Sequence, residues 1–308
     1  MDLLPVKQDD RWGYMDKTGK LVIPPKYHDA DFFHEDLARI KMDNKWGYID
    51  KEGKTVIHPQ FNDAGNFSDG LARVQHGTLL EKRWAFIDKT GKIVAGHIKG
   101  METGAYKEGA TVTRETFDQA GDFHQDLARV KTPGLKGKWG FIDKTGNMKI
   151  PAKYDHAGDF SADGLANVEM DGRWGFIDRD GKTVINFQFS RAEPFSEDRA
   201  QVMVGRWPGG KWGYIDKTGK FAINPKYEKS GPYSDGLARV KTGNDWGYID
   251  KDGKVAIPAR YSDAGDFVDS VARVRIGGLI RGEWVYIDNK GNTIQTTGGT
   301  TNQPANPE

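Results

Sequence analysis

The chain has 308 residues, with 45 basic against 44 acidic side chains and a net charge of +1, so no overall field draws it to nucleic acid or to an anionic membrane. It has no cysteine, which excludes disulfides, thiolate metal sites and a cysteine nucleophile, and no stretch approaches the roughly 18 apolar residues of a membrane span. With 39 glycines, 37% hydrophobic and 11% aromatic residues, the composition suits many short strands and tight turns, and an all-β fold is expected.

From the N-terminus, "LLPVK" (3–7) is followed by "RWGYMDKTGK" (11–20) and "LVIPPKY" (21–27), and this succession recurs along the chain. The tryptophan falls at Trp12, Trp46, Trp84, Trp139, Trp174, Trp212, Trp246 and Trp284. A second landmark, the apolar residue ending "LARV", falls at Ile40, Val74, Val130, Val168, Val202, Val240 and Val274. Val6 stands six residues before Trp12, as Ile40 does before Trp46, so "LLPVK" is a degenerate "LARVK". The spacing predicts eight three-stranded antiparallel meanders, at about 3–25, 37–59, 71–96, 127–152, 165–187, 199–225, 237–259 and 271–295. From Trp to the next landmark is 28 residues in five units, 29 in the fourth and 46 in the third, so the third unit carries an 18-residue insertion at about 97–114.

Each meander reads as "LARVK", a tight turn, "WGYID", the turn "KTG", then "KxVIPP". Asp-Gly in "VEMDGRWG" (168–175) and Gly-Asn in "VKTGNDWG" (240–247) suit two-residue hairpin turns. In "IDKTGK" the Asp is read as capping a type I turn, and the Gly three residues on as the left-handed residue of a bulge. The segments between meanders, such as "PPKYHDADFFHED", are read as compact crossovers with Tyr27, Ala30 and Phe33 on one side. Leu37, Trp46 and Tyr48 alternate with Ala38, Ile40, Gly47 and Ile49, so both faces of a sheet are apolar or small and each must be covered by a neighbouring sheet. Burying the Trp is expected to give each unit its largest contact, and truncating one to Ala to cost about 3–5 kcal/mol. One domain, 1–295, is expected as a propeller-like toroid, with an open β-solenoid or superhelix as the alternative. Pro5 marks an edge strand, and the tail 296–308, which lacks any core residue, is expected to be disordered.

The repeated "WGYIDKTGKxVIPPKY…FSDGLARV" resembles the bacterial WG repeat, also called the KWG repeat, over about 3–295. The resemblance implies a tandem β-repeat found in varied bacterial proteins, without an established common activity and without catalytic or ligand residues to carry over. Ala85 and Val285 depart from it by replacing the Gly after Trp, and Asn167 and Gln201 by replacing the Arg of "LARV".

The recurring turn carboxylates, including those of "DRDGK" at 178 and "DKDGK" at 250, are read as caps rather than catalysts or calcium ligands, because the other oxygen ligands of a calcium loop are missing. The seven histidines show no metal-site spacing, and no nucleophile elbow, phosphate loop or dinucleotide fingerprint is present. No metal, cofactor or enzymatic activity is therefore expected. Arg39, Arg73, Arg129, Arg239 and Arg273 recur on equivalent strands; they either line an anion-binding rim or pair with an Asp of a neighbouring repeat such as Asp36 or Asp126.

Four first hairpins are long, at 75–83, 131–138, 203–211 and 275–283, and each places an apolar residue near its tip: Leu79 and Leu80, Leu135, Trp207, Leu279 and Ile280. A meander's first turn and the end of its third strand lie at one end of the sheet, so the insertion, which contains Tyr106, is expected to share that end. These residues are the candidate partner-binding surface of a non-enzymatic scaffold for a protein or peptide, with aromatic stacking on a glycan or cell-envelope component as the alternative. An enzyme built on the insertion would have to draw on His97, Glu102, Lys107 and Glu108, which show no recognisable arrangement. The start "MDLLPVKQDDRWG" has neither the basic nor the apolar region of a signal peptide, so the expected compartment is the bacterial cytoplasm, or the periplasm or cell surface if a signal was removed.

Overall fold

The computed structural model describes residues 3–78, 82–96, 116–206, 208–278 and 282–294. These residues form eight antiparallel sheets and no helix, so none of them lies in a helix long and apolar enough to cross a membrane. The chain divides into two compact units, Met1–Gln188 and Phe189–Glu308, the first built on five of the sheets and the second on three.

The first sheet has three strands, Leu4–Gln8, Arg11–Met15 and Leu21–Tyr27, and Pro5 lies on its edge strand. The other seven have four, because the segment read as a plain crossover adds a short outer strand to the sheet that follows it. In the second sheet this strand, Asp29–Ala30, pairs with Ala38–Met42, which pairs with Lys45–Ile49, which pairs with Thr55–Phe61. Neighbours in the sheet are thus neighbours in sequence, as in the blades of a propeller.

The turns form as their residues dictate. Asp16 Oδ1 accepts hydrogen bonds from Thr18 N and Lys20 N, and Gly19 sits at φ 85°. Asp178 and Asp250, the two carboxylates set in calcium-like sequences, are used in the same way, each capping the amides two and four residues on. Asp171 and Gly172 both have positive φ in their two-residue hairpin, which is what a turn matched to strand twist requires.

Within each unit, cores lie between successive sheets. Tyr14, Ile23 and Tyr27 of the first sheet pack on Ala38, Ile40 and Ile49 of the second, with Ala30 and Phe33 beside them. Tyr48, Ile57 and Phe61 of the second pack on Ala72, Val74, Ala85 and Ile87 of the third. In the second unit Tyr214, Ile223 and Tyr227 pack on Ala238, Val240 and Ile249.

The Trp is not the deepest residue of the unit. Trp12, Trp46, Trp174, Trp212 and Trp246 are only partly buried, whereas the aromatic two positions on is fully buried in seven sheets, from Tyr14 to Tyr248. That ring points into the gap between sheets and meets an aromatic of the next linking segment, as Tyr48 meets Phe67 at 4.9 Å.

The insertion interrupts the last strand of the third sheet. Ala95 pairs with Phe86, and Phe117 resumes the same ladder by pairing with Trp84. In the second sheet a Cβ on Gly47 would lie 2.5 Å from Ile57 O, so the third strand crosses closely there. In the third sheet the roles are exchanged: Ala85 occupies that position and the crossing residue is Gly96, at φ 86°, where a Cβ would collide with Ala85.

Candidate interaction surface

Asp118 lies where two of the long hairpins meet the return of the insertion. It directly follows Phe117, where the insertion rejoins its sheet. Its carboxylate pairs with Arg83 of the third sheet's hairpin at 3.0 Å and accepts the Gly134 amide of the fourth sheet's hairpin at 2.9 Å. One carboxylate thus gathers the base of one long hairpin, the root of the insertion and the tip of a second hairpin. Leu135, next to Gly134, is completely exposed at 109%.

Other sheets use the equivalent residue likewise. Asn62 Nδ2 donates to Gly77 O while Lys45 donates to its Oδ1, and Asp155 accepts the Asp171 amide while pairing with Lys138. In the second unit a cleft of about 340 Å³ opens between the sixth and seventh sheets at this end, lined by Lys211, Lys226, Tyr227, Glu228, Lys241 and Thr242 among others.

Of the residues predicted to bind a partner, the structure places Leu135. Leu79, Leu80, Trp207, Leu279, Ile280 and Tyr106 lie outside the described residues, as do His97, Glu102, Lys107, Glu108 and the tail 296–308.

The "LARV" arginines pair, as the second expectation had it, with an Asp of the neighbouring repeat, but not with the residues named for it. Each guanidinium lies over the Trp of its own sheet, with Arg39 4.8 Å from Trp46, Arg73 4.9 Å from Trp84, Arg129 5.3 Å from Trp139 and Arg239 5.5 Å from Trp246. Four of the five also pair with an Asp: Arg39 with Asp31 at 2.8 Å, Arg73 with Asp122 at 2.6 Å, Arg129 with Asp159 at 2.8 Å and Arg239 with Asp266 at 2.9 Å. Asp36 and Asp126 are not the partners. They sit at positive φ on hairpin tips, where Lys51 reaches Asp36, and Lys144 and Arg179 reach Asp126. Burial raises the Asp159 and Asp266 carboxyls above the ordinary value, against the pull of their arginines.

The partner Asp stands in the linking segment, within "AGDF". The whole motif clasps the preceding sheet: Arg239 donates to Ala264 O at 2.6 Å, Tyr248 donates to Gly265 O at 2.8 Å, Asp266 pairs with Arg239, and Phe267 meets the Tyr248 ring at 4.8 Å. The Gly is needed because the ion pair of the following sheet crosses it; a Cβ on Gly65 would lie 2.5 Å from Asp122. The sequence held a signal for this clasp that reading the Arg alone missed. Where Asn167 and Gln201 replace Arg, the Asp position of the next linking segment is Pro194 and Pro232.

Solved structures similar to the chain share 10–13% identity with it. They include a eukaryotic initiation factor (11% identity, 96% of this chain and 94% of that one, TM-score 0.48), Hsv2p of Kluyveromyces lactis (10%, 95% and 94%, 0.44), and the β-propeller domain of the trilobed protease of Pyrococcus furiosus (13%, 91% and 100%, 0.42). No curated protein sequence matches. The family model for the WG containing repeat matches residues 12–46, 46–77, 139–174, 174–206, 212–244 and 246–279, together well over half of the chain. The chain therefore belongs to the family of proteins built from the WG containing repeat.

Proposed function

We propose that this protein is a non-enzymatic scaffold that holds a protein or peptide partner on the end of its sheets where the long hairpins and the insertion emerge. The observation that carries the reading is the Asp118 junction, which ties together three elements that depart from the repeat, beside the fully exposed Leu135. Residues that repeat serve packing, and elements that depart from the repeat are free to serve a partner. An apolar side chain held on an anchored hairpin loses little entropy on binding, which suits it to contact another protein.

The test is capture of partners by the intact chain, by a Leu135→Ser, Leu79→Ser, Trp207→Ser, Ile280→Ser variant, and by a chain lacking 97–114. A partner retained by the first and lost by the variants, at unchanged melting temperature, supports the proposal. A large loss of stability in the substituted chain would make these residues core and refute it. Glycan-array binding without protein capture would favour a carbohydrate ligand instead.

A further inference from the structure

The eighth sheet leaves open a face that the second and seventh sheets have covered. It comprises Asp263–Ala264, Val271–Ile276, Glu283–Asp288 and Thr293–Ile294, and its forward face carries Arg273, Trp284 and Tyr286, the same three residue types as the second and seventh sheets. Arg273 lies over Trp284 at 4.5 Å, the arrangement seen in the second, third, fourth and seventh sheets. Yet Trp284 is 40% and Tyr286 38% exposed, whereas Tyr14, Tyr48, Tyr214 and Tyr248 at the same position are at 0%. Among the described residues no carboxylate meets Arg273 and no carbonyl accepts from Tyr286. The space beside Gly265 is open as well. A Cβ on Gly65, Gly121 or Gly231 would strike an Asp carboxylate of the next linking segment, while one on Gly265 would meet only Arg273 O, at 3.3 Å.

We propose that the forward face of the eighth sheet docks a segment of another protein with the order small residue, glycine, aspartate, aromatic. The chemistry of the occupant is set by what the same face holds elsewhere in this chain. In the seventh sheet a single tetrapeptide, Ala264 to Phe267, satisfies the guanidinium, the phenol and the ring at once. In the third sheet Ala120 O and Asp122 meet Arg73 while Phe123 meets Phe86, and in the fourth Ala157 O and Asp159 meet Arg129 while Phe160 meets Phe141. Charge complementarity selects the aspartate, because Arg273 is a fixed cation with no described counter-charge. The Tyr286 hydroxyl selects a free carbonyl one residue before it, and the exposed rings select the aromatic one residue after. A second copy of the chain does not supply the segment, since its copies at 120–123, 157–160 and 264–267 are each held against their own preceding sheet.

The experiment titrates a synthetic peptide of residues 259–270, up to millimolar concentration, into the isotope-labelled full chain and follows the indole N–H signals. A saturable shift confined to the Trp284 signal is expected. It should weaken at least tenfold with the Asp266→Asn peptide and with an Arg273→Gln chain whose other indole signals are unchanged. Leu135→Ser should leave it intact, which separates this face from the hairpin surface. No movement of the Trp284 signal at millimolar peptide, or equal binding of the Asn peptide, overturns the proposal. So does a concentration-dependent dimer that is abolished by Trp284→Ser, which would give the face to a second copy.

Discussion

Arg73 of the third sheet and Asp122 of the linking segment that follows it are 49 residues apart in sequence and 2.6 Å apart in space, across the insertion. Their contact makes a clasp in which the Trp supports an arginine and the arginine holds the next unit. Truncating one partner leaves the other charge half-buried and uncompensated, so Asp122→Asn and Arg73→Gln are each expected to cost about 1–3 kcal/mol. Chemical denaturation of the two single variants and the double variant checks this, with a coupling of about 1 kcal/mol or more expected.

The second sheet contains a rearranged clasp. Asn66 stands at the position of Asp122, Asp159 and Asp266, and Asp31 at the position of Gly65, Gly121, Gly158 and Gly265. Arg39 turns to Asp31 at 2.8 Å, and Asn66 donates to the same carboxylate at 3.2 Å. Asp31→Gly alone is expected to destabilise by about 1–2 kcal/mol, and Asn66→Asp added to it to recover most of that loss. If the pair of substitutions were no better than the first alone, the two arrangements would not be equivalent.

The clasp also has a pH signature. Burial pushes the Asp31 carboxyl up, but hydrogen bonds from Phe32 and Asn66 and the Arg39 charge together bring it below the ordinary value. A lowered folded value stabilises above the unfolded value of about 3.9 and is lost as pH falls through the folded one. The melting-temperature gap between the natural chain and Asp31→Asn is therefore expected to be widest near neutrality and to shrink toward pH 3. At Asp159, raised by burial, the folded protein favours the protonated form, so stability from this group is lost as pH rises through its folded value. The pH profile of Asp159→Asn, measured in the same melts, is expected to slope the opposite way.

Depth ranks the aromatics differently from sequence prominence. Tyr48 is fully buried and Trp46 only partly, so Tyr48→Ala is expected to cost about 3–5 kcal/mol and Trp46→Ala less. Tyr48→Phe isolates the hydroxyl's bond to Gly65 O, 2.7 Å, at about 1 kcal/mol. Equilibrium unfolding of the three variants orders them.

Gly65→Ala and Gly265→Ala are the same substitution at equivalent positions with opposite expectations. At Gly65 the new methyl meets Asp122 and Arg73, and a loss of about 2 kcal/mol is expected; at Gly265 it meets a single atom at 3.3 Å and should change the melting temperature little.

Most of this architecture could be read from the chain because it is repeated. Eight copies of Trp, Asp and Gly at fixed spacing reveal the hairpins, the bulged turns and the frame that begins at Val6, since each obeys local rules of turn and strand. The short fourth strand was harder to see, because Asp29–Ala30 has only two residues and its pairing depends on the sheet that follows. The partners of the arginines were misplaced for a related reason. Asp36 and Asp126 are close to the "LARV" strand in sequence, whereas Asp122 and Asp159 come close to Arg73 and Arg129 only when successive sheets stack. Asp118 gave no signal of its own, because its role comes from two hairpins and an insertion meeting in space.

The interrupted strand of the third sheet has a practical consequence. Its broken ends pair with Phe86 and Trp84, two positions apart on one neighbouring strand, which places them roughly 7 Å from each other. A segment spliced between them closes a loop whose entropic cost rises only with the logarithm of its length, about 0.6 kcal/mol per doubling. Foreign sequence spliced into that gap is expected to leave the rungs on either side, Phe86 with Ala95 and Trp84 with Phe117, in place.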